Sequence, residues 1–181
     1  FKAHDNLGGL PPVILATLRQ KMIGLAGEIG DGLVFANATR RHMATSLAAL
    51  PEGKLGDPAF DIANMIPTCI SDDIAAAKAV NGKTLTGYAR LPNYRNYWKE
   101  AGFVEEMTAI ERALAEKRPE DVPKYLTDAW LAECTLFGPA AHVRDELAAW
   151  RAAGIKTPIL VPSSAAGNQM TAIEELFAAF G

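Results

Sequence analysis

PPVILATLRQKMIGLAGEIGDGLVFANA, residues 11–38, decides how this chain folds. Val13–Leu18 is an apolar, strand-like run, entered through two prolines that cannot donate to a ladder and so mark a strand start. From Gln20 to Ile29 the apolar residues Met22, Ile23, Leu25, Ala26 and Ile29 recur at helical spacing. Gly30-Asp31-Gly32 ends that helix, glycine supplying a cheap positive φ past a C-terminus. Residues 33–36 form a second apolar run, and its near-continuous apolarity suits a parallel strand buried on both faces. Strand, helix and strand within this length make a βαβ unit.

The pattern repeats outward. Thr39–Leu50 reads as helix, 51–58 as loop, 61–70 as a third strand, and Ser71-Asp72-Asp73 as the cap of a helix over 74–86. A helical stretch follows over about 87–137, with helices near 103–117 and 119–135. Pro139 opens another helix, with Val143, Leu147 and Trp150 as its buried stripe. Residues 157–162 are a fourth strand. A closing helix brings Met170, Ile173, Leu176, Phe177 and Phe180 into phase. Alternating strands and helices predict an α/β fold with a parallel sheet. Four units fall short of the eight, and the ~250 residues, of a closed barrel. The expected architecture is therefore one domain over 1–181, a half (β/α)8 barrel with a helical insertion before its last unit.

Composition narrows the function. The chain is 49% hydrophobic and 22% charged with net charge −3, which suits a globular domain and gives no basic stripe for nucleic acid. No apolar run reaches the ~18 residues of a membrane helix, and no signal peptide is evident. Cys69 and Cys134 lie far apart and form no CxxC pair, which suggests reduced thiols in a cytoplasmic protein. The Asn37-Ala38-Thr39 sequon is read as a chance match. The chain opens Phe-Lys-Ala-His without Met, and the expectation is a piece cut from a longer enzyme.

Three segments carry a resemblance. They are residues 11–39 with the PVILATL strand and the MIGLAGEIGDG helix, GYARLPNYRNYWKEAGF at 87–103, and TLFGPAAHVRDELAAWRAAGIKTPILVPS at 135–163. In this order they resemble the luciferase-like monooxygenase family of flavin- or deazaflavin-dependent (β/α)8 oxidoreductases. The likeness covers the C-terminal half of that barrel and numbers its strands five to eight. It implies an oxidoreductase using coenzyme F-420 (a deazaflavin) or FMN, acting on a small organic substrate as a homodimer. This chain would supply the phosphate side of the cofactor site and would be inactive by itself. Ala16, Thr17, Leu18, Arg19 and Gln20 would cradle the phosphate, with Ala36 and Asn37 closing the other side. A helix N-terminus and a guanidinium suit that task. The chain departs from many deazaflavin members in having Leu18-Arg19 where they carry paired glycines. No catalytic residue is assigned, because the ring contacts belong to the family's N-terminal half. The alternative is a non-catalytic half-barrel, a binding or scaffolding protein whose open sheet edges drive self-association.

Other chemistry-bearing residues favour plain readings. His4, His42 and His142 have no metal-ligand spacing, and His42 is expected at a surface helix position. Cys69, near a strand end, is expected to be a buried inert thiol, with Thr68 and Ser71 beside it as possible pocket residues. Arg90, Tyr94, Arg95, Tyr97 and Trp98 could stack on or pair with a planar acidic ligand, but packing of the insertion against the barrel is the expectation. Ser163, Ser164 and Gly167 could hold phosphate or cap the last helix.

Overall fold

The computed structural model describes residues 11–181; His4 lies outside the described residues. In chain order the elements are β1 (Ile14–Ala16), α1 (Gln20–Ile29), β2 (Gly32–Ala36), a 3-10 turn (Arg40–His42), α2 (Met43–Leu47), β3 (Asp61–Ile70), α3 (Ile74–Ala89), α4 (Pro92–Glu100), α5 (Val104–Ala115), a 3-10 helix (Pro119–Tyr125), α6 (Asp128–Cys134), β4 (Leu136–Gly138), α7 (Ala140–Ala152), β5 (Thr157–Ser163) and α8 (Gln169–Phe180). All strand pairings are parallel, as the alternation of strands and helices requires.

β3 is the centre of the sheet. β2 lies along its first half and β5 along residues 63–69. Thr68 and Cys69 pair with β4 as well as with β5, so β4 sits on the edge opposite β5 and prolongs the one that β2 occupies. The four expected strands are present, and β4 is an addition. Its three residues sit at the tail of a helical pattern, too short to carry a period of their own. Tertiary contacts hold it instead. Asn81 Nδ2 donates to the Leu136 carbonyl at 3.0 Å, and the Ser71 N–H to that of Gly138 at 3.0 Å. Gly138 has φ +114°, a conformation only glycine adopts at low cost.

The sheet is covered on one face only. Leu33, Phe35, Ile62 and Ile66 point to the helices and are fully buried. The three tryptophans Trp98, Trp130 and Trp150 fill the helical layer, with Trp98 and Trp130 meeting edge to face at 4.7 Å. The other face carries Ala16, Val34, Ala63 and Thr157 in one register row and Ala36, Met65 and Ile159 in the next. It is open in part: Met65 and Ile159 are each 39% exposed, while Ala63 is buried. Helices on one side and a bare, mostly apolar row on the other is the layout of half a (β/α)8 barrel.

Three expectations change in detail. Gly30 does not use positive φ (its φ is −105°), and neither does Gly32. Space selects them: a Cβ on Gly30 would meet Leu15 Cδ1 at 2.8 Å, and one on Gly32 the Asp61 carbonyl at 2.7 Å. The helix expected over 39–50 is a 3-10 turn followed by the five residues of α2. In α8 the buried residues are Ala172 and Ala179, while Met170, Phe177 and Phe180 face outward.

Candidate functional site

The C-terminal ends of β1 and β2 run into two turns, and the turn after β1 is short. Thr17 N–H still bonds the Val34 carbonyl at 2.9 Å, and α1 starts at Gln20. Its N-cap, Arg19, makes no side-chain capping bond. The Arg19 carbonyl accepts from Met22 and Ile23. The N–H groups of Gln20 and Lys21, by contrast, lie in the first turn, where a helix supplies no acceptor. Thr17 is buried, and its hydroxyl has no partner. Both facts suit an anion: free amides, the positive end of a ten-residue helix, and an orphan hydroxyl that a ligand oxygen would satisfy.

A cleft of about 380 Å³ opens here, lined by Ala16, Thr17, Leu18, Arg19 and Ala36, with Met22, Val34, Phe35, Met65, Asn93 and Tyr94 as its remaining walls. Five of the seven expected cradle residues thus converge. Gln20 lines a second cleft of about 670 Å³ instead, with Arg19, Lys21, Met22, His42, Thr45 and Glu100. Arg19 and Met22 are shared between the two. Asn37 lines neither. It is buried, with its N–H bonded to the Met65 carbonyl at 3.0 Å and its own carbonyl receiving Trp98 Nε1 at 3.1 Å. It stands at φ +55°, in the left-handed region that asparagine tolerates better than most residues. Its part is to turn the chain behind Ala36.

Arg19 is not idle. Its Nε donates to Glu100 Oε1 at 2.8 Å and its Nη2 donates to the same oxygen, so the pair ties the start of α1 to the end of α4. The hydrogen bond to Glu100, then its charge, raises the Arg19 pKa further. Glu100 is 81 residues from Arg19, and no local pattern in the sequence announces it.

His42 departs from the surface position expected of it. It is half-buried, lines the larger cleft and stands edge to face with Tyr97, ring centroids 5.7 Å apart. Burial lowers its pKa, opposed by the charge of Glu100. Tyr97 is fully buried; its hydroxyl oxygen accepts from the Thr39 N–H at 3.1 Å, and burial foremost raises its pKa. Of the aromatic insertion segment only Asn93 and Tyr94 reach the smaller cleft. Arg95 is committed to the Ala89 carbonyl and to Glu111, and Arg90 to the Pro119 carbonyl. Packing wins for this segment, as expected.

The remaining candidates resolve into structure. Ser164 Oγ donates to Glu175 and accepts from the N–H groups of Ala166 and Gly167, while Asn168 caps α8. Thr68 is buried and bonded to the Ile66 carbonyl. Cys69 is buried, and burial, then the Glu175 charge, pushes its thiol pKa up, away from nucleophilic character. His142 is exposed on α7. Among the described residues no group of three His, Cys, Asp or Glu could hold a metal ion, and no helix is long and apolar enough to cross a membrane.

Residues 2–157 match the model of the family described as luciferase-like monooxygenase. The chain belongs to the luciferase-like monooxygenase family. A Mycobacterium tuberculosis protein named as a coenzyme F-420-dependent oxidoreductase is 24% identical over 166 residues, covering 85% of this chain and 48% of that one. The coenzyme F-420-dependent tetrahydromethanopterin reductase of Methanopyrus kandleri superposes with a TM-score of 0.72 at 17% identity, over 91% of this chain and 48% of that one. An F-420-dependent secondary alcohol dehydrogenase, solved with an F-420–acetone adduct, gives 0.56 at 18% identity, over 87% and 44%. The fold is that of the luciferase-like (β/α) barrel, and the chain spans about half the length of the curated relative it matches.

Proposed function

We propose that this chain is the C-terminal half, strands five to eight, of a coenzyme F-420-dependent oxidoreductase, and that it holds the cofactor's phosphate. The observation that carries the reading is the turn between β1 and α1. It joins a buried, unpartnered Thr17 hydroxyl and an uncapped helix start to a cleft at the C-terminal strand ends, where such barrels keep their sites. These residues fit a phosphate group: hydroxyl, amides and guanidinium are all donors. Coenzyme F-420 rather than FMN is favoured by the names of the matched relatives.

Thr17 would donate to a phosphate oxygen, as would the N–H groups of Gln20 and Lys21, with Arg19 adding charge. Ala16 and Ala36 are small and leave room for backbone approach. Tyr94 and Met65 wall the cleft. When bound, the cofactor supplies two-electron redox chemistry, which the protein positions and shields. His42, its pKa lowered by burial, stays neutral near pH 7 and offers a hydrogen bond without adding charge. The substrate proposed is a small organic molecule, contacted by the other half of the barrel. A homodimer is part of the same proposal, in keeping with the apolar side chains of Phe177 and Met170 on the outer surface.

The test is titration of coenzyme F-420 into the intact protein, followed by its fluorescence. Thr17→Val removes only the hydroxyl and is expected to weaken binding roughly 10- to 100-fold, the worth of a charge-assisted hydrogen bond. Arg19→Glu, which also reverses a charge, is expected to weaken it more. Unchanged affinity in both variants removes the phosphate from this turn.

A further inference from the structure

Among the described residues that line the smaller cleft, every polar side chain can donate a hydrogen bond: Thr17, Arg19, Asn93 and Tyr94, with no carboxylate beside them. The first two belong to the turn after β1. The other two open α4, far along the chain. Like α1, α4 starts without a side-chain cap, its N-cap being Leu91. The Leu91 N–H bonds the Tyr88 carbonyl, and Pro92 has none. That leaves the N–H groups of Asn93 and Tyr94 as the ones to which the helix offers no acceptor. Two helix starts therefore reach one cleft, which the buried, unpartnered Thr17 hydroxyl also lines. The Tyr94 ring is half-buried, edge to face with Tyr88 at 5.1 Å and 5.5 Å from Trp98. Burial, then Tyr88, raises its pKa, so the hydroxyl keeps its proton near pH 7. α4 itself is fixed to the turn after β2, through Trp98 Nε1 on the Asn37 carbonyl and the Thr39 N–H on the Tyr97 hydroxyl, each at 3.1 Å.

We infer that α4 is the second wall of the anion site: the Tyr94 hydroxyl, the Asn93 side-chain amide and the free N–H groups of these two residues bind the same phosphate as Thr17 and the start of α1. This rests on the phosphate reading above and adds to it ligand contacts from the helical insertion. Each helix start carries roughly half a positive charge, so the two together answer about one unit of negative charge. The rest of the lining, Leu18, Val34, Phe35 and Met65 among it, is apolar, and hydrogen bonds in such surroundings are stronger than in water. Donors fixed in place before the ligand arrives lose little freedom on binding. The insertion thereby gains a task beyond packing. Its aromatic stack sets Tyr94 at the cleft, while Arg90 and Arg95 bind the carbonyls of Pro119 and Ala89 and are not spent on the ligand.

The experiment titrates inorganic phosphate into the full chain and follows the amide resonances of Gln20, Lys21, Asn93 and Tyr94 by NMR, in wild type, Tyr94→Phe and Asn93→Ala. Tyr94→Phe keeps the ring and its stack, and Asn93 is exposed, so both variants keep the fold, which a melting curve checks. In wild type all four amides are expected to shift along one binding curve. Tyr94→Phe is expected to weaken phosphate roughly 10-fold, the low end for a hydrogen bond to a charged group, and Asn93→Ala by a smaller factor. Both variants should still shift Gln20 and Lys21 at saturation. Shifts at Gln20 and Lys21 alone, with wild-type affinity in both variants, overturn the second wall and leave the phosphate reading standing. Shifts at all four amides with wild-type affinity in both variants overturn the two side-chain contacts. Absence of any shift at the four amides overturns both the wall and the phosphate reading.

Discussion

Asn37 is the residue at which backbone conformation and site are most tightly joined. Its φ of +55° costs little for asparagine and more for residues without a short polar side chain. Asn37→Ala is expected to lose about 1–2 kcal/mol of stability in denaturant melts, and Asn37→Gly close to nothing, because glycine accepts the same φ. His42 gives a second prediction at this scale. Its folded pKa is depressed below the ordinary 6.5 by burial, so the unfolded chain binds the proton more readily. Stability should therefore rise with pH through the window below 6.5 and fall as pH drops through it. His42→Asn, which cannot titrate, should flatten that part of a plot of Tm against pH; an unchanged slope would place the effect elsewhere.

At the scale of elements, α4 and α5 are clasped by Glu111, which binds Lys99 and the buried Arg95. Its pKa is lowered from 4.5, first by the hydrogen bond from Lys99, with Arg95 adding to it. A depressed carboxylate stabilises the fold above its unfolded pKa and loses that contribution as pH falls through the folded value. Glu111→Gln is thus expected to lose less than about 1 kcal/mol at pH 7, since the carboxylate is partly solvent-screened and Arg95 keeps its bond to the Ala89 carbonyl, and to remove part of the acid destabilisation below pH 4.5. The difference between wild type and variant should disappear in strong acid. Legibility in the sequence was uneven at this scale. β3 and the start of α3 read directly, because a long apolar run and an Asp73 cap are local signals. β4 did not, because three residues carry no period. The apolar stripe of α8 was visible, but periodicity alone cannot say whether a stripe meets the core or faces outward. The turn after β1 was singled out as a candidate phosphate site by the family resemblance, since a strand–turn–helix without a glycine-rich fingerprint does not mark one by itself. Glu100, His42 and Thr45 were not, since their nearness to it is made by tertiary packing alone.

For the whole molecule the telling feature is the bare face of the sheet. In the proposed complete barrel this face becomes the interior, and Met65 and Ile159 become core. The same substitution should then behave differently in two settings. Met65→Glu in the 181-residue chain is expected to change stability by less than about 1 kcal/mol, because the side chain is already 39% exposed. In the complete barrel it would bury an unpaired charge and cost at least about 3 kcal/mol. Equal effects in both, read from urea midpoints, would deny that this face is the inside of anything.

Where a phosphate rests decides between a cofactor site at the first βα turn and one elsewhere on the barrel. A crystal structure of the intact protein with coenzyme F-420 is the measurement. The prediction is a phosphate within hydrogen-bonding distance of Thr17 Oγ1 and of the Gln20 or Lys21 N–H. A phosphate seated on the Ser163–Gly167 loop would contradict it.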